Sequence, residues 1–116
     1  MDVILVYVNT PTAAEARRIG RALVEARLVA AANVVPGMRS IYRWEGRVRE
    51  HDEAMLVAKT RAGLVDAAIE TASSLHSYER PAILAVPVRG GDPGYLDWVV
   101  ASVVPDGSAG TEERKK

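Results

Sequence analysis

Apolar residues repeat along the chain with two periods, and these periods predict strands and helices. Val3 to Val8 is apolar throughout and rich in β-branched residues, which is typical of a central strand. From Ala16 to Ala26 the apolar positions recur at helical spacing, so we predict a first helix over residues 12–28. Thr12 and Glu15 have the spacing of a capping box at its start.

The middle of the chain predicts a long hairpin. Residues 29–35 favour a second strand, and Pro36-Gly37 is expected to close it before the alternation resumes toward Trp44. Glu45-Gly46 is a turn signal, after which residues 47–60 return as a third strand.

The predicted hairpin is longer than the helix beside it. At roughly 3.3 Å per residue the third strand spans about 45 Å, whereas the first helix, at roughly 1.5 Å per residue, spans only about 24 Å. The far half of the hairpin, with Tyr42, Trp44 and Val48, should therefore extend beyond the helices. Such an uncovered strand edge favours pairing with another chain.

The rest of the pattern completes a β-α-β-β-α-β order. A second helix is predicted after the third strand, with Val65, Ala68, Ala72 and Leu75 on its buried face. A fourth strand over 83–88 and a short C-terminal helix after Asp92 follow. The predicted fold class is α+β, a ferredoxin-like βαββαβ sandwich with an antiparallel sheet. We expect residues 1–104 to form a single domain, and residues 105–116 to be a disordered tail.

Composition narrows the classes of function. The chain has 116 residues, no cysteine, and 15 basic against 15 acidic side chains. Balanced charge argues against a nucleic-acid partner, and no apolar run is long enough to span a membrane. The absence of cysteine excludes disulfides and thiolate metal sites. Because the N-terminus also lacks the basic region of a signal peptide, a cytoplasmic protein is expected.

Four segments resemble the CutA family in order and spacing. Residues 33–46 are similar to its central block, residues 53–60 to its return strand, residues 76–81 to its His-Pro-Tyr-Glu-x-Pro loop, and residues 95–98 to its Tyr-x-x-Trp helix. The family often has a cysteine where this chain has Ala31, so a soft copper ligand is missing here.

The resemblance implies a homotrimer in which long hairpins join the sheets of neighbouring subunits, as in the PII-like architecture. It also implies a role in divalent metal cation tolerance, with copper as the candidate ligand, and it implies no enzymatic activity. The alternative is a PII-like sensor or trimeric scaffold that binds a small molecule in the cleft between subunits.

His76 is the leading candidate metal ligand, because imidazole binds copper(II) well. Glu79, three residues later, or a group from a neighbouring chain would complete the site. The alternative is a helix-terminal histidine favoured by the helix dipole. His51 and Glu53 could also converge, since alternate residues of a strand share a face, but a solvated hairpin surface is the favoured interpretation.

Tyr42 and Trp44, two residues apart on one strand face, are candidates for the wall of a cleft between subunits. Lys59 and Tyr78 are expected to add polar groups near it. The alternatives are interface packing for the two aromatic rings and simple solvation for Lys59.

Overall fold

A computed structural model describes residues 2–105 of the chain. Most of the predicted tail, residues 106–116, lies outside the described residues. The elements, in chain order, are β1 (Val3–Thr10), α1 (Ala13–Glu25), β2 (Ala31–Trp44), β3 (Arg47–Arg61), α2 (Val65–Leu75), β4 (Ile83–Pro87) and α3 (Pro93–Ser102), with a 3-10 turn at Ala62–Leu64 before α2. This is the predicted ferredoxin-like order, followed by the predicted short C-terminal helix.

The four strands form one antiparallel sheet in the order β2-β3-β1-β4. Helices α1 and α2 cover one face of this sheet, which we call the first face. The core between them is built from buried apolar side chains, among them Val6, Ile19, Leu23 and Leu56. Gly20 lets α1 approach the sheet closely, because a Cβ there would lie 2.9 Å from Leu56 Cδ1.

Helix α1 ends at Glu25, earlier than the predicted residue 28. The prediction ran too far because no glycine marks the end of the helix in the sequence. Arg27 takes a left-handed conformation with φ of 59°. The amide of Leu28 then donates to the carbonyl of Leu23, and the amide of Arg27 to that of Val24, which is the Schellman pattern of a helix end. The start agrees with the prediction, since the Thr12 side chain accepts a hydrogen bond from the Glu15 amide at 3.1 Å.

The other side of the sheet, the second face, is largely uncovered within one chain. Strand alternation places Leu5, Tyr7, Leu84 and Val86 on it, and Leu84 is 61% exposed. Helix α3 packs near one part of this face, where the Lys59 ammonium lies 5.9 Å from the centre of the Tyr95 ring.

Pro36 and Gly37 do not end the second strand, contrary to the prediction. Strand β2 continues through them, and the pairing with β3 shifts between Val35 and Met38. The two residues are accommodated as an irregularity of the β-bulge type, and Gly37 has φ of 76°. A proline is tolerated at this place because β2 is an edge strand.

The far half of the hairpin extends beyond the helices, as the length mismatch predicted. Its apolar side chains are exposed, Ile41 by 65%, Val48 by 64% and Trp44 by 45%. The hairpin gives the described part of the chain a longest dimension of 48 Å. No helix in residues 2–105 is long and apolar enough to cross a membrane.

The conformation of Gly37 provides a test of the bulge. We expect Gly37→Ala to lower the free energy of unfolding by about 1–2 kcal/mol, because a side chain disfavours positive φ. No atom lies within 4 Å of the added Cβ, so steric clash does not contribute. Chemical denaturation followed by circular dichroism measures the change.

Gly90→Ala is the matched control, since that glycine also has open space around it but no positive φ. It should leave stability unchanged or raise it slightly. Equal losses from the two substitutions would contradict a special role for the bulge.

Candidate functional site

A carboxylate at the base of the hairpin is the centre of a polar cluster. The Glu53 side chain is only 6% exposed. It accepts hydrogen bonds from the Ser40 hydroxyl at 2.7 Å and from the Tyr78 hydroxyl at 2.8 Å. Antiparallel pairing brings Ser40 to this position, while the loop after α2 brings Tyr78.

His51 lies beside this carboxylate on the same strand. Its Nε2 atom is shielded from solvent and lies 3.3 Å from Glu53 Oε2. Its Nδ1 atom is 3.3 Å from the Tyr42 hydroxyl. The convergence of His51 with Glu53 differs from the favoured solvated-surface interpretation, because Glu53 is buried against the loop.

The His76 side chain is buried, and both of its ring nitrogens have partners. Its Nε2 atom lies 2.6 Å from the Asn9 carbonyl oxygen, and its Nδ1 atom is 3.0 Å from the Tyr78 amide. The amide can only donate and the carbonyl can only accept, so this ring is neutral with its proton on Nε2. The Ser77 amide next to it donates to Glu15 Oε2 of α1 at 2.8 Å. These contacts hold the loop against β1 and α1.

Glu79 does not join His76 within one chain. Its side chain is exposed and makes no hydrogen bond or ion pair with residues 2–105. Copper(II) needs several nitrogen or oxygen donors around one point, and no group of three or more His, Asp or Glu side chains in the described range is arranged to hold a metal ion. His76 and Glu79 therefore do not fit a copper site as a single chain positions them, and copper binding by this pair stays a prediction.

The predicted cleft residues divide into two places. Tyr42, Trp44 and Tyr78 line an open cleft of about 930 Å³ between the hairpin and the loop after α2. Lys59 lies elsewhere, hydrogen-bonded to the side chain of Asn33 and near the Tyr95 ring. Other residues of the cleft wall include Tyr7, Asn9, Met38, Arg39 and Arg80.

The electrostatics of the cluster favour an ionised Glu53. Burial acts to raise the pKa of this carboxyl, but hydrogen bonds from Ser40 and Tyr78 and the neighbouring His51 ring outweigh it, so the pKa falls below its ordinary value of 4.5. The pKa of Tyr78 rises to about 12, first because of burial and then because its hydroxyl donates to Glu53. Tyr78 is therefore a hydrogen-bond donor throughout the physiological range.

Sequence reasoning missed Ser40 and the central position of Glu53. Strand alternation does contain part of the signal, since it places both on the second face of the sheet. The approach of Tyr78 could not be read from the chain, because it depends on how the loop packs. Asn9 was also missed, and its buried side-chain oxygen has no hydrogen-bond partner among the described residues.

Fold and site together define a class of protein. It is a ferredoxin-like domain with an overlong hairpin, an uncovered sheet face and a polar cluster in an open cleft. A family model described as "CutA1 divalent ion tolerance protein" matches residues 4–102. The chain therefore belongs to the CutA1 divalent ion tolerance protein family. The family is described by a role in ion tolerance and not by a catalysed reaction, which agrees with the prediction of a non-enzymatic protein.

Known relatives support this assignment. The chain is 43% identical over 95 residues to "Divalent-cation tolerance protein CutA" of Thermus thermophilus, covering 82% of this chain and 92% of that protein. It is 38% identical over 96 residues to "Protein CutA 1, chloroplastic" of Oryza sativa, covering 83% of this chain. The chain spans about half of that plant protein, 54% of its length.

Solved structures give the same result for the fold. The Cut A1 protein of Thermus thermophilus superposes with a TM-score of 0.85 at 40% identity, covering 88% of this chain and 99% of that one. CutA1 of Oryza sativa gives a TM-score of 0.86 at 36% identity, covering 90% of this chain and 95% of that one. The predicted fold class is thus confirmed.

The lowered pKa of Glu53 predicts a specific acid dependence. Its ionised form contributes stability that is fully present above pH 4.5 and is lost as the pH falls through the lower folded-state pKa. Glu53→Gln should therefore be less stable than the parent chain at neutral pH, and the difference should narrow on acidification, because a protonated Glu53 is as neutral as glutamine. Denaturant titrations between about pH 3 and pH 7 measure this difference.

Glu50→Gln is the control, since Glu50 lies on the same strand in an exposed pair with Arg39. Exposed pairs contribute little, so this variant should track the parent chain at every pH. A stability difference for Glu53→Gln that does not change with pH would contradict the assigned ionisation.

Proposed function

We propose that the protein acts as a homotrimer in divalent metal cation tolerance. The tolerance role is supported by the match to the family model. The observation that carries the assembly is the uncovered apolar surface of a single chain, which lies on two parts of the molecule. One part is the far half of the hairpin, with Ile41, Trp44 and Val48 exposed. The other is the second face of the sheet, with Leu84 and Val86 exposed on β4.

Self-association explains both parts with one arrangement. Exposed apolar surfaces of this kind favour burial against a partner. The hairpin reaches beyond its own helices, so it can lie along a neighbouring subunit while the neighbour's hairpin covers a third copy. Closed rings of identical subunits satisfy every such surface. Strands β2 and β4 are the two edges of the sheet in a single chain, so each has an outer edge that could pair with a strand of a neighbouring subunit.

The trimer makes a direct prediction. Leu84→Glu and Val48→Glu should each shift the protein from trimer toward monomer, because a carboxylate would have to be buried at the interface. Light scattering coupled to size exclusion measures the mass. Ser73→Glu, which adds the same charge on the exposed side of α2, should leave the trimer intact.

A monomeric parent chain would contradict the proposed assembly. A trimer that persists in both glutamate variants would move the interface away from the second face and the hairpin.

The function is tested in cells. In a copper-sensitive host without its own family member, expression of the parent chain should raise the Cu²⁺ concentration at which growth stops. The Ser73→Glu control should do the same, whereas the two interface variants should fail at equal protein levels. Equal copper sensitivity with and without the parent chain would contradict the tolerance role.

The cleft favours a second candidate function, that of a PII-like sensor or trimeric scaffold. Tyr42, Trp44 and Tyr78 give the wall aromatic surface together with hydrogen-bonding groups, which is typical of small-molecule sites. This function is favoured if a metabolite raises the melting temperature of metal-free protein and Trp44→Ala abolishes the shift.

A cytoplasmic location stays a prediction, since one relative is named chloroplastic and another structure periplasmic.

A further inference from the structure

We propose that the open cleft between the hairpin and the loop after α2 binds a free amino acid with an aromatic side chain. The inference rests on the second candidate function, the small-molecule sensor, and deepens it by naming the class of ligand. The cleft wall has an anionic group for the ammonium of such a zwitterion, a cationic group for its carboxylate and aromatic rings for its side chain. Its volume of about 930 Å³ is within the range of about 300–1,000 Å³ that is typical of small-molecule sites.

Glu53 is the anionic group of the cleft wall. Its lowered pKa keeps the carboxylate ionised at neutral pH. Two carboxylate oxygens offer about four acceptor positions, of which the hydroxyls of Ser40 and Tyr78 use two and His51 Nε2, at 3.3 Å, takes a third. The remaining position can accept a hydrogen bond from a ligand ammonium. Because the two hydroxyls already fix the carboxylate, little side-chain freedom is lost on binding.

Asn9 adds a second polar group beside Glu53. Asn9 pairs with Met55 across the sheet, so Glu53, two residues before Met55, is its diagonal neighbour on the same face, at about 7–8 Å. The Asn9 backbone is fully used, since its amide donates to the Ala82 carbonyl and its carbonyl accepts from His76. Its side-chain oxygen has no hydrogen-bond partner among residues 2–105. An unpaired polar group of this kind favours a ligand that carries N–H donors.

Arg80 is the cationic group. It lines the cleft, is exposed and makes no hydrogen bond or ion pair with residues 2–105, not even with the adjacent Glu79. The other arginine of the cleft wall, Arg39, is already paired with Glu50 at 3.0 Å and with Asp52 at 2.8 Å. Arg80 is therefore the guanidinium that can bind a ligand carboxylate, for which its planar fork of donors is well suited.

The loop backbone holds Arg80 close to Asn9. Ala82, two residues after Arg80, accepts a hydrogen bond from the Asn9 amide at 3.1 Å. Two residues of extended chain span at most about 7 Å, so the backbone of Arg80 lies near the end of β1. Pro81 restricts the residue before it to an extended conformation, which limits the positions that the Arg80 side chain can take.

The aromatic part of the wall consists of Tyr7, Tyr42 and Tyr78. Two of these rings are held by neighbours, since Tyr42 meets the His51 ring edge to face at 5.4 Å and Tyr78 lies 5.0 Å from the His76 ring. Fixed rings can pack against an aromatic side chain in offset or edge-to-face geometry.

The charges of the cleft wall favour a zwitterion over a phosphorylated ligand. One unpaired guanidinium faces a cleft that also contains the carboxylates of Glu53 and Glu79. A nucleotide phosphate would bring further negative charge to these carboxylates, whereas the ammonium and carboxylate of an amino acid match one group of each sign.

Calorimetry of the assembled, metal-free full chain with L-phenylalanine tests the proposal. We expect saturable binding that weakens about tenfold or more for 2-phenylethylamine, which lacks the carboxylate, and for 3-phenylpropanoate, which lacks the ammonium. L-alanine, which has both charges but no ring, should also bind more weakly.

Arg80→Gln should weaken binding of L-phenylalanine about tenfold or more and leave binding of 2-phenylethylamine unchanged. Because Arg80 makes no contact that the fold needs, this variant should fold like the parent chain, which circular dichroism verifies. Arg17→Gln is the matched control, since Arg17 is an exposed arginine of α1 outside the cleft, and it should bind L-phenylalanine like the parent.

Three results would overturn the inference. They are no heat of binding from millimolar L-phenylalanine, equal affinity for L-phenylalanine and 3-phenylpropanoate, and equal affinity in the parent chain and Arg80→Gln.

The outcome is separable from that of the sensor function. If L-phenylalanine does not bind but another metabolite raises the melting temperature and Trp44→Ala abolishes that shift, the amino-acid proposal fails and the sensor function stands. If no metabolite changes the melting temperature, both fail. The growth test with Cu²⁺ decides the tolerance role independently of either result.

Discussion

The pairing of β2 with β3 is the interaction on which the rest of the structure depends. It forms one long hairpin whose near half is covered by helices and whose far half is not. In its near half the hairpin is part of the sheet, and Val34 and Leu56 pack against α1 and the core. In its far half the same pairing continues beyond the helices of residues 2–105. Backbone hydrogen bonds hold this half together, but they do not bury its apolar side chains. The surface left over is what a neighbouring subunit would cover in the proposed trimer.

The polar cluster lies at the boundary between these halves. Glu53 is the last residue of β3 before the strand enters the core, where Ala54 and Leu56 are fully buried. A carboxylate in such a position must be hydrogen-bonded, since an unpaired buried charge is costly. Ser40 comes from the partner strand and Tyr78 from the loop after α2. The cluster thus ties the hairpin base to the loop, and His76 ties that loop to β1.

The two histidines differ in exposure and in hydrogen bonding. His76 has no free nitrogen and is fully buried, so its contribution within one chain is to loop conformation. His51 is 40% exposed and has one nitrogen held by Tyr42, with the other facing a carboxylate. Ala31, where the family often has cysteine, begins β2 opposite Lys59 and contributes no donor. Because the chain has no cysteine, no thiolate can hold a cation that it binds.

The sequence by itself determined the element order, the hairpin overhang and the family, because strand and helix periods, strand length and motif spacing are local properties of the chain. Local signals failed where tertiary context took over. Arg27 ends α1 without a glycine, and Pro36 lies inside an edge strand that continues past it. In α3, Tyr95 and Trp98 stack on each other and stay 42% and 48% exposed, while the neighbouring Val99 is buried.

The grouping of Ser40, Glu53 and Tyr78 was decided only by the tertiary structure. These residues lie 13 and 25 positions apart along the chain, and their meeting depends on a strand register together with a loop conformation. The same holds for the burial of His76 and the exposure of Glu79, since adjacent loop residues have no fixed period. The partners of each histidine nitrogen are residues that are close in space but distant in sequence, so they cannot be predicted from the sequence pattern.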